Sequence, residues 1–154
     1  LAAPGINSLS QIHYQNKTAS SLLSSLTMAQ EEAVRRGGVA RMCPSSDGST
    51  CRLDGNWNRG WIVFLDSNAS HAPEAIEILD RHGPPNEKIR IQAQGAFTVG
   101  ATFDINGIPK PDNGTQQGTF KVCFANGEPS SRDILVNQEG WIEVKNSDLI
   151  CSEA

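Results

Sequence analysis

A segment without proline or glycine runs from Ser8 to Arg36, and Gly37 and Gly38 follow it at once. That boundary constrains the fold more than any other feature of the chain. Inside the segment, Leu22, Leu26, Ala29 and Ala33 recur at spacings of four, three and four. This is the period of one apolar helix face, and Leu23 and Val34 widen the stripe. Glu31–Arg35 and Glu32–Arg36 are spaced i,i+4 with the acid first, the better orientation for a helical pair. Arg35 and Arg36 also complement the negative end of the helix dipole. The two glycines then stop the helix. Upstream, Pro4 and Gly5 break or kink any helix entering through Leu1 to Asn7.

Beyond the glycines the period changes. Val39 to Cys43 reads as a short strand, and Pro44 to Asn58 as a polar loop. Trp61 to Leu65 has the composition of a buried strand. Glu74 to His82 fits a strand and a short helix equally. Ile89 to Gln94 and Thr98 to Asp104 read as neighbouring strands around Gly95. Asn106-Gly107, Asn113-Gly114 and Asn126-Gly127 are turn signals. Thr119 to Phe124, Asp133 to Asn137 and Trp141 to Lys145 complete the set. Ile142 and Val144 alternate with Glu143 and Lys145, and Ile134 and Val136 keep the same spacing of two, so 134–144 is expected to form a hairpin with one buried face. A helix followed by strands with no helices between them implies an α+β fold with an antiparallel sheet. The length of 154 residues suits one domain, with a helical part at 1–37 and a β-rich head at 38–154.

Four cysteines punctuate the head: Cys43, Cys51, Cys123 and Cys151. None forms a CxxC pair, which argues against zinc. An even count with one close pair reads as two disulfides and an oxidising compartment. Three connectivities exist, and Cys43–Cys51 with Cys123–Cys151 is favoured. The first closes a small loop, and the second ties the tail to a strand.

A search for chemistry finds no convergent group, so neither an enzyme nor a cofactor or metal is expected. No nucleotide-binding glycine loop, GxSxG elbow, HExxH or kinase pattern is present. His71 and His82 flank Glu74 and Asp80, but that spacing is no recognised ligand pattern. Asp104, Asn106 and Gly107 resemble a fragment of a calcium loop without its later ligands. Asn16, Asn68 and Asn113 head Asn-x-Ser/Thr sequons, a chance-level signal in such a composition. Trp57 and Trp61 read as anchors of a loop on the core, with stacking on a sugar or base as the alternative. With 17 acidic against 13 basic side chains the net charge is -4, which opposes non-specific nucleic-acid binding. No apolar run approaches the ~18 residues of a membrane helix.

The order of elements from Met28 to Asp66 resembles a bacterial family. It runs Ala29-Gln-Glu-Glu-Ala33-Val-Arg-Arg36, Val39, Cys43-Pro-Ser-Ser-Asp-Gly48, Cys51, Trp57, Gly60-Trp-Ile-Val-Phe64 and Asp66. This is similar to the minor pilins and pseudopilins of the GspH, FimT and FimU type. Phe103, Gly107, the strand with Cys123, and Asn137 to Trp141 continue the match more weakly.

The resemblance implies a pilin-like fold and a structural role. It implies a leader removed by a prepilin peptidase, a methylated N-terminus and a hydrophobic helix that anchors the subunit in the inner membrane. Leu1 to Ala3 resemble the last residues of that helix, so the given chain is expected to be the soluble part. Expected partners are other minor pilins and the major pilin. The expected location is the inner membrane and periplasm, then the extracellular pilus. The tail cysteine Cys151 leans toward the FimU-like branch, whose members prime assembly at or near the tip of a type IV pilus. Two alternatives remain: a type II secretion pseudopilin, and a DNA-binding minor pilin for natural transformation. The DNA-binding branch carries Gly-Arg-x-Arg in the last hairpin. Here the stretch reads Gly140-Trp141-Ile142-Glu143. Lys121, Arg132 and Lys145 are the remaining candidates for DNA contact.

Overall fold

The computed structural model describes residues 6–110 and 117–151. The Pro4-Gly5 break, Leu1 to Ala3 and the Asn113-Gly114 turn lie outside them. One helix, α1 (Ile6–Arg36), precedes eight strands: β1 (Ala40–Pro44), β2 (Trp61–Leu65), β3 (Ile78–His82), β4 (Ile89–Gly95), β5 (Ala101–Phe103), β6 (Gly118–Phe124), β7 (Ser131–Val136) and β8 (Ile142–Ser147). They form two antiparallel four-stranded sheets, ordered β3-β2-β1-β5 and β4-β6-β7-β8. This is the expected α+β architecture. No helix among the described residues is long and apolar enough to cross a membrane.

The helix ends as the glycines require. Gly37 takes a φ of 63°. Its N–H donates to Val34 O, and the Gly38 N–H donates to Ala33 O, which closes the last carbonyls in a Schellman pattern. Leu22, Leu26, Ala29 and Ala33 are completely buried. Each leucine is worth about 2–3 kcal/mol of transfer free energy. Val34 departs from the expected stripe, because it is 53% exposed at the rim beside Gly107. Ala19 and Ser25 are buried in its stead. Arg35 also departs from expectation. It turns to Glu32 at 2.7 Å, so Glu32 holds both Arg35 and Arg36.

One core lies between α1 and the inner faces of both sheets. Met42, Val63, Ala101 and Phe103 come from the first sheet, and Ile91, Phe120, Val122, Ile134 and Val136 from the second. A second, smaller cluster joins Cys43, Ile62 and Phe64 on the other face of the first sheet, with Cys51 and Ile78 against it.

Glu74 to His82 resolves into both of its expected forms, a 3₁₀ turn at Ala75–Glu77 and then β3. Glu77 caps that turn and accepts from the Ser67 hydroxyl. Thr98 to Asp104 shortens to β5, and β5 is not the neighbour of β4. It pairs with β1 in the first sheet, while β4 pairs with β6 in the second. The turn at Gly95 (φ 64°) carries the chain away from β4, and completely buried Phe97 follows it into the core. Local sequence could not reveal this, because consecutive strands are usually partners.

Candidate functional site

No catalytic or metal-binding residue was expected, so the functional question concerns surfaces and what holds them. No group of three or more potential metal ligands forms among the described residues. His82 lies 3.5 Å from Asp80 and stacks on Trp61, and Asp104 accepts from the N–H groups of Asn106 and Ile108 to shape a turn.

Both disulfides have the favoured connectivity. Cys43–Cys51 spans 5.6 Å between Cα atoms and Cys123–Cys151 spans 5.8 Å. The first pins the polar loop over the small outer cluster of the first sheet. That loop is organised by carboxylates. Asp47 accepts from the N–H groups of Ser49 and Thr50 and from the Thr50 hydroxyl, which holds its pKa far below the usual carboxylate range. Asp54 pairs with Arg52 and accepts from Asn56 N–H, which lowers its pKa to about 2. The second disulfide draws the tail across the outer face of the second sheet. There the Cys151 sulfur lies 3.8 Å from the carbonyl oxygens of Arg90 and Lys121.

Both expected tryptophan anchors are internal, so neither is available to stack on a ligand. Trp57 is completely buried and donates to Phe97 O at 3.2 Å, and Trp61 donates to the Ser25 hydroxyl at 2.9 Å. Between them Asn58 reaches the outer edge of β4 and bonds Ile91. An open cleft of about 730 Å³ runs along that edge, with Arg59, Asn86 and Arg90 in its walls.

The three candidate DNA contacts do not converge. Strand register places Lys121, Asp133 and Lys145 in one row across the second sheet. Residues opposite each other share a face, so the two lysines stand on the outer face with Asp133 between them. Asp133 is buried and is held by the hydroxyls of Ser131 and Ser147. Arg132 takes the opposite face, opposite Val122 and Asn146, and donates to Asn146 Oδ1 at 3.0 Å. In the Gly140-Trp141-Ile142-Glu143 stretch, Trp141 is 76% exposed and Glu143 is exposed.

Two polar residues on α1 secure the head and were not singled out from sequence. Gln15 donates to Val122 O at 3.0 Å. Gln30 donates to Gly107 O at 2.9 Å and to Gly140 O at 2.7 Å. Apolar periodicity discards such residues. The only available signal was their placement at i−4 from Ala19 and i+4 from Leu26, beside the apolar stripe. The outward side of α1 keeps Leu9 and Ile12 exposed.

No curated protein sequence matches the chain. The crystal structure of the type IV minor pilin FimU of Pseudomonas aeruginosa strain PAO1 in space group P21 is similar in fold. Its TM-score is 0.67 at 20% identity, covering 89% of this chain and 92% of that one. The structure of the minor pseudopilin EpsH from the Type 2 Secretion System of Vibrio cholerae matches with a TM-score of 0.59 at 12% identity, covering 84% and 94%. The family model described as type II transport protein GspH matches residues 18–140. The match runs from the middle of α1 to the β7–β8 turn, so the chain belongs to the GspH family of minor pilins and pseudopilins.

Proposed function

We propose that this protein is a structural minor pilin of a type IV pilus that primes assembly at or near the filament tip, and that it is not an enzyme. The observation that carries this over DNA uptake is the last hairpin. An exposed tryptophan and an exposed glutamate stand at Trp141 and Glu143, and the basic candidates are split between two faces of the sheet, with a buried carboxylate between the two lysines. A DNA surface needs several cations aimed at consecutive phosphates. Lys121 and Lys145 share one face with Asp133 between them, and Arg132 is spent on Asn146. FimU and EpsH share the fold alike, and the tail cysteine Cys151, tied to Cys123, supports the pilus reading over type II secretion.

On this reading the subunit waits in the inner membrane and periplasm, held by a hydrophobic helix upstream of α1. It then joins the other minor pilins and the major pilin in the extracellular filament. Deletion of the gene is expected to remove surface pili, and affinity capture of the tagged subunit from a piliated strain is expected to recover other minor pilins. Intact pili in the deletion strain together with recovery of secretion pseudopilins would sink the pilus assignment. A salt-sensitive gel shift with duplex DNA would restore the DNA reading, with Lys121, Arg132 and Lys145 as its first residues to test.

A further inference from the structure

The second sheet has two edges, and the molecule treats them differently. At β4 the outward N–H of Ile89 donates to Asn86 O, and Asn58 bonds both the N–H and the C=O of Ile91. That edge is closed to another strand. At β8 the outward groups have no partner among the described residues. The hairpin closes with Asn137 N–H donating to Trp141 O, so Leu135–Glu143 and Asp133–Lys145 are the hydrogen-bonded pairs. The N–H and C=O groups of Ile142, Val144 and Asn146 therefore point away from β7, toward solvent.

The side chains of this edge are complementary to themselves. Glu143 and Lys145 stand on the outer face and are exposed. Ile142 and Val144 stand on the inner face, half-buried against the core. An antiparallel copy of β8 centred on Val144 sets Val144 opposite Val144, Glu143 opposite Lys145, and Ile142 opposite Asn146. Both opposite-charge pairs then fall at non-hydrogen-bonded positions, where side chains approach most closely. The outward backbone groups of Val144 meet their own copies in the hydrogen-bonded position. A centre on Glu143 or Lys145 would instead set like charges directly opposite each other.

We propose that the free edge of β8 pairs with β8 of a second copy of this chain about a two-fold axis at Val144, merging two four-stranded sheets into one of eight strands. Charges on an edge strand commonly guard against pairing. A guard works by like charge or by a charge aimed into the edge, and Glu143 and Lys145 do neither. Because the β4 edge is closed by Asn58 and Asn86, the association stops at two copies and does not grow into a fibre. An axis normal to the sheet also reverses the direction of α1, which lies on that sheet. The pair therefore joins two free subunits or two opposed filaments, not neighbours anchored side by side in one membrane. The inference stands on β8 and does not depend on the pilus role.

The contact is short, so the expected dissociation constant is high, on the order of 0.1–1 mM. Sedimentation equilibrium of the described chain from roughly 10 μM upward is expected to show mass rising toward twice the monomer, and less so at high salt. Trp141, the one exposed tryptophan of three, lies opposite Ser147 of the second copy, so its quenching by iodide should fall as the protein concentrates. E143K and K145E are each expected to weaken association at least about tenfold by opposing like charges. A mixture of E143K with K145E restores opposite charges at both positions and is expected to associate again. Val144→Pro removes an outward donor and no hydrogen bond to β7, so a folded V144P protein is expected to stay monomeric. If that variant misfolds, the charge-exchange mixture decides. A wild type that stays monomeric throughout, single charge variants that associate normally, or a mixture that does not recover would each overturn the proposal. So would association through β8 with a different pilin alone.

Discussion

The side-chain amide of Asn58 bonds the backbone of Ile91 in both directions: Nδ2 donates to the carbonyl at 3.1 Å, and Oδ1 accepts from the N–H at 2.7 Å. One side chain from the first sheet's leading turn thus occupies the place of a missing strand beside β4. It tethers the two sheets where no backbone ladder joins them. Asn58→Ala leaves both groups of Ile91 without that partner, and is expected to cost about 1–3 kcal/mol. Urea denaturation would show the lower midpoint, and amide exchange would show the Ile91 N–H losing protection. An unchanged Ile91 exchange rate would contradict this role.

The two disulfides should differ in worth. The closed loops have separations of 8 and 28 residues. Chain entropy then assigns roughly 2.5 kcal/mol to Cys43–Cys51 and roughly 3.5 kcal/mol to Cys123–Cys151. Paired alanine replacements, C43A/C51A and C123A/C151A, compared by denaturant midpoints, test the order. The first replacement also opens the small cluster of Ile62 and Phe64, so a reversed order would mean that packing outweighs loop closure there.

Helix α1 offers an internal contrast. Leu26 is completely buried and Leu9 is 62% exposed. Leu26→Ala is expected to cost about 2–5 kcal/mol, and Leu9→Ala within about 0.5 kcal/mol. Thermal unfolding of the two variants measures the difference directly. A comparable loss at Leu9 would show that the outward face is covered in solution.

Acid should loosen the loop at 44–56 as Asp54 takes up its proton. Asp54 has its pKa lowered from 3.8 to about 2, chiefly by its bond from Arg52. A lowered folded pKa stabilises the protein above the unfolded value, and that contribution fades as pH falls through the folded value. The window is therefore about pH 4 down to pH 2. Asp54→Asn is expected to be less stable than the parent at neutral pH, with the gap closing across that window. Melting temperatures of both proteins against pH test this, and a gap constant with pH would refute it.

Much of this fold was legible in the residues because the strongest signals are local. Glycine at 37 and 38 ends a helix wherever it occurs, and Trp61 to Leu65 is a strand with the bounds expected of it. The disulfide pairing was legible too, since Cys43 and Cys51 can hardly avoid each other across so short a loop. Other features were not legible in the residues. Glu32, not Glu31, takes Arg35, because two guanidinium groups converge on one carboxylate. Nothing local marks Gln15 and Gln30, because their partners Val122, Gly107 and Gly140 lie 77 to 110 residues away in sequence.

The helix, the identity of most strands, the cysteine pairs and the likeness to minor pilins were written in residue order, because all of them rest on period, spacing or short order. Which strands share a sheet, and hence which side chains become neighbours, emerged from the packing of the whole chain. A strand's own apolar pattern sets which side faces the core, but which distant strand it pairs with is settled only when both sheets pack against α1. For that reason Lys121, Arg132 and Lys145, one group in the sequence, are divided by Asp133 and by the sheet itself. For the same reason one edge of that sheet is sealed at Asn58 and the other ends open at Val144.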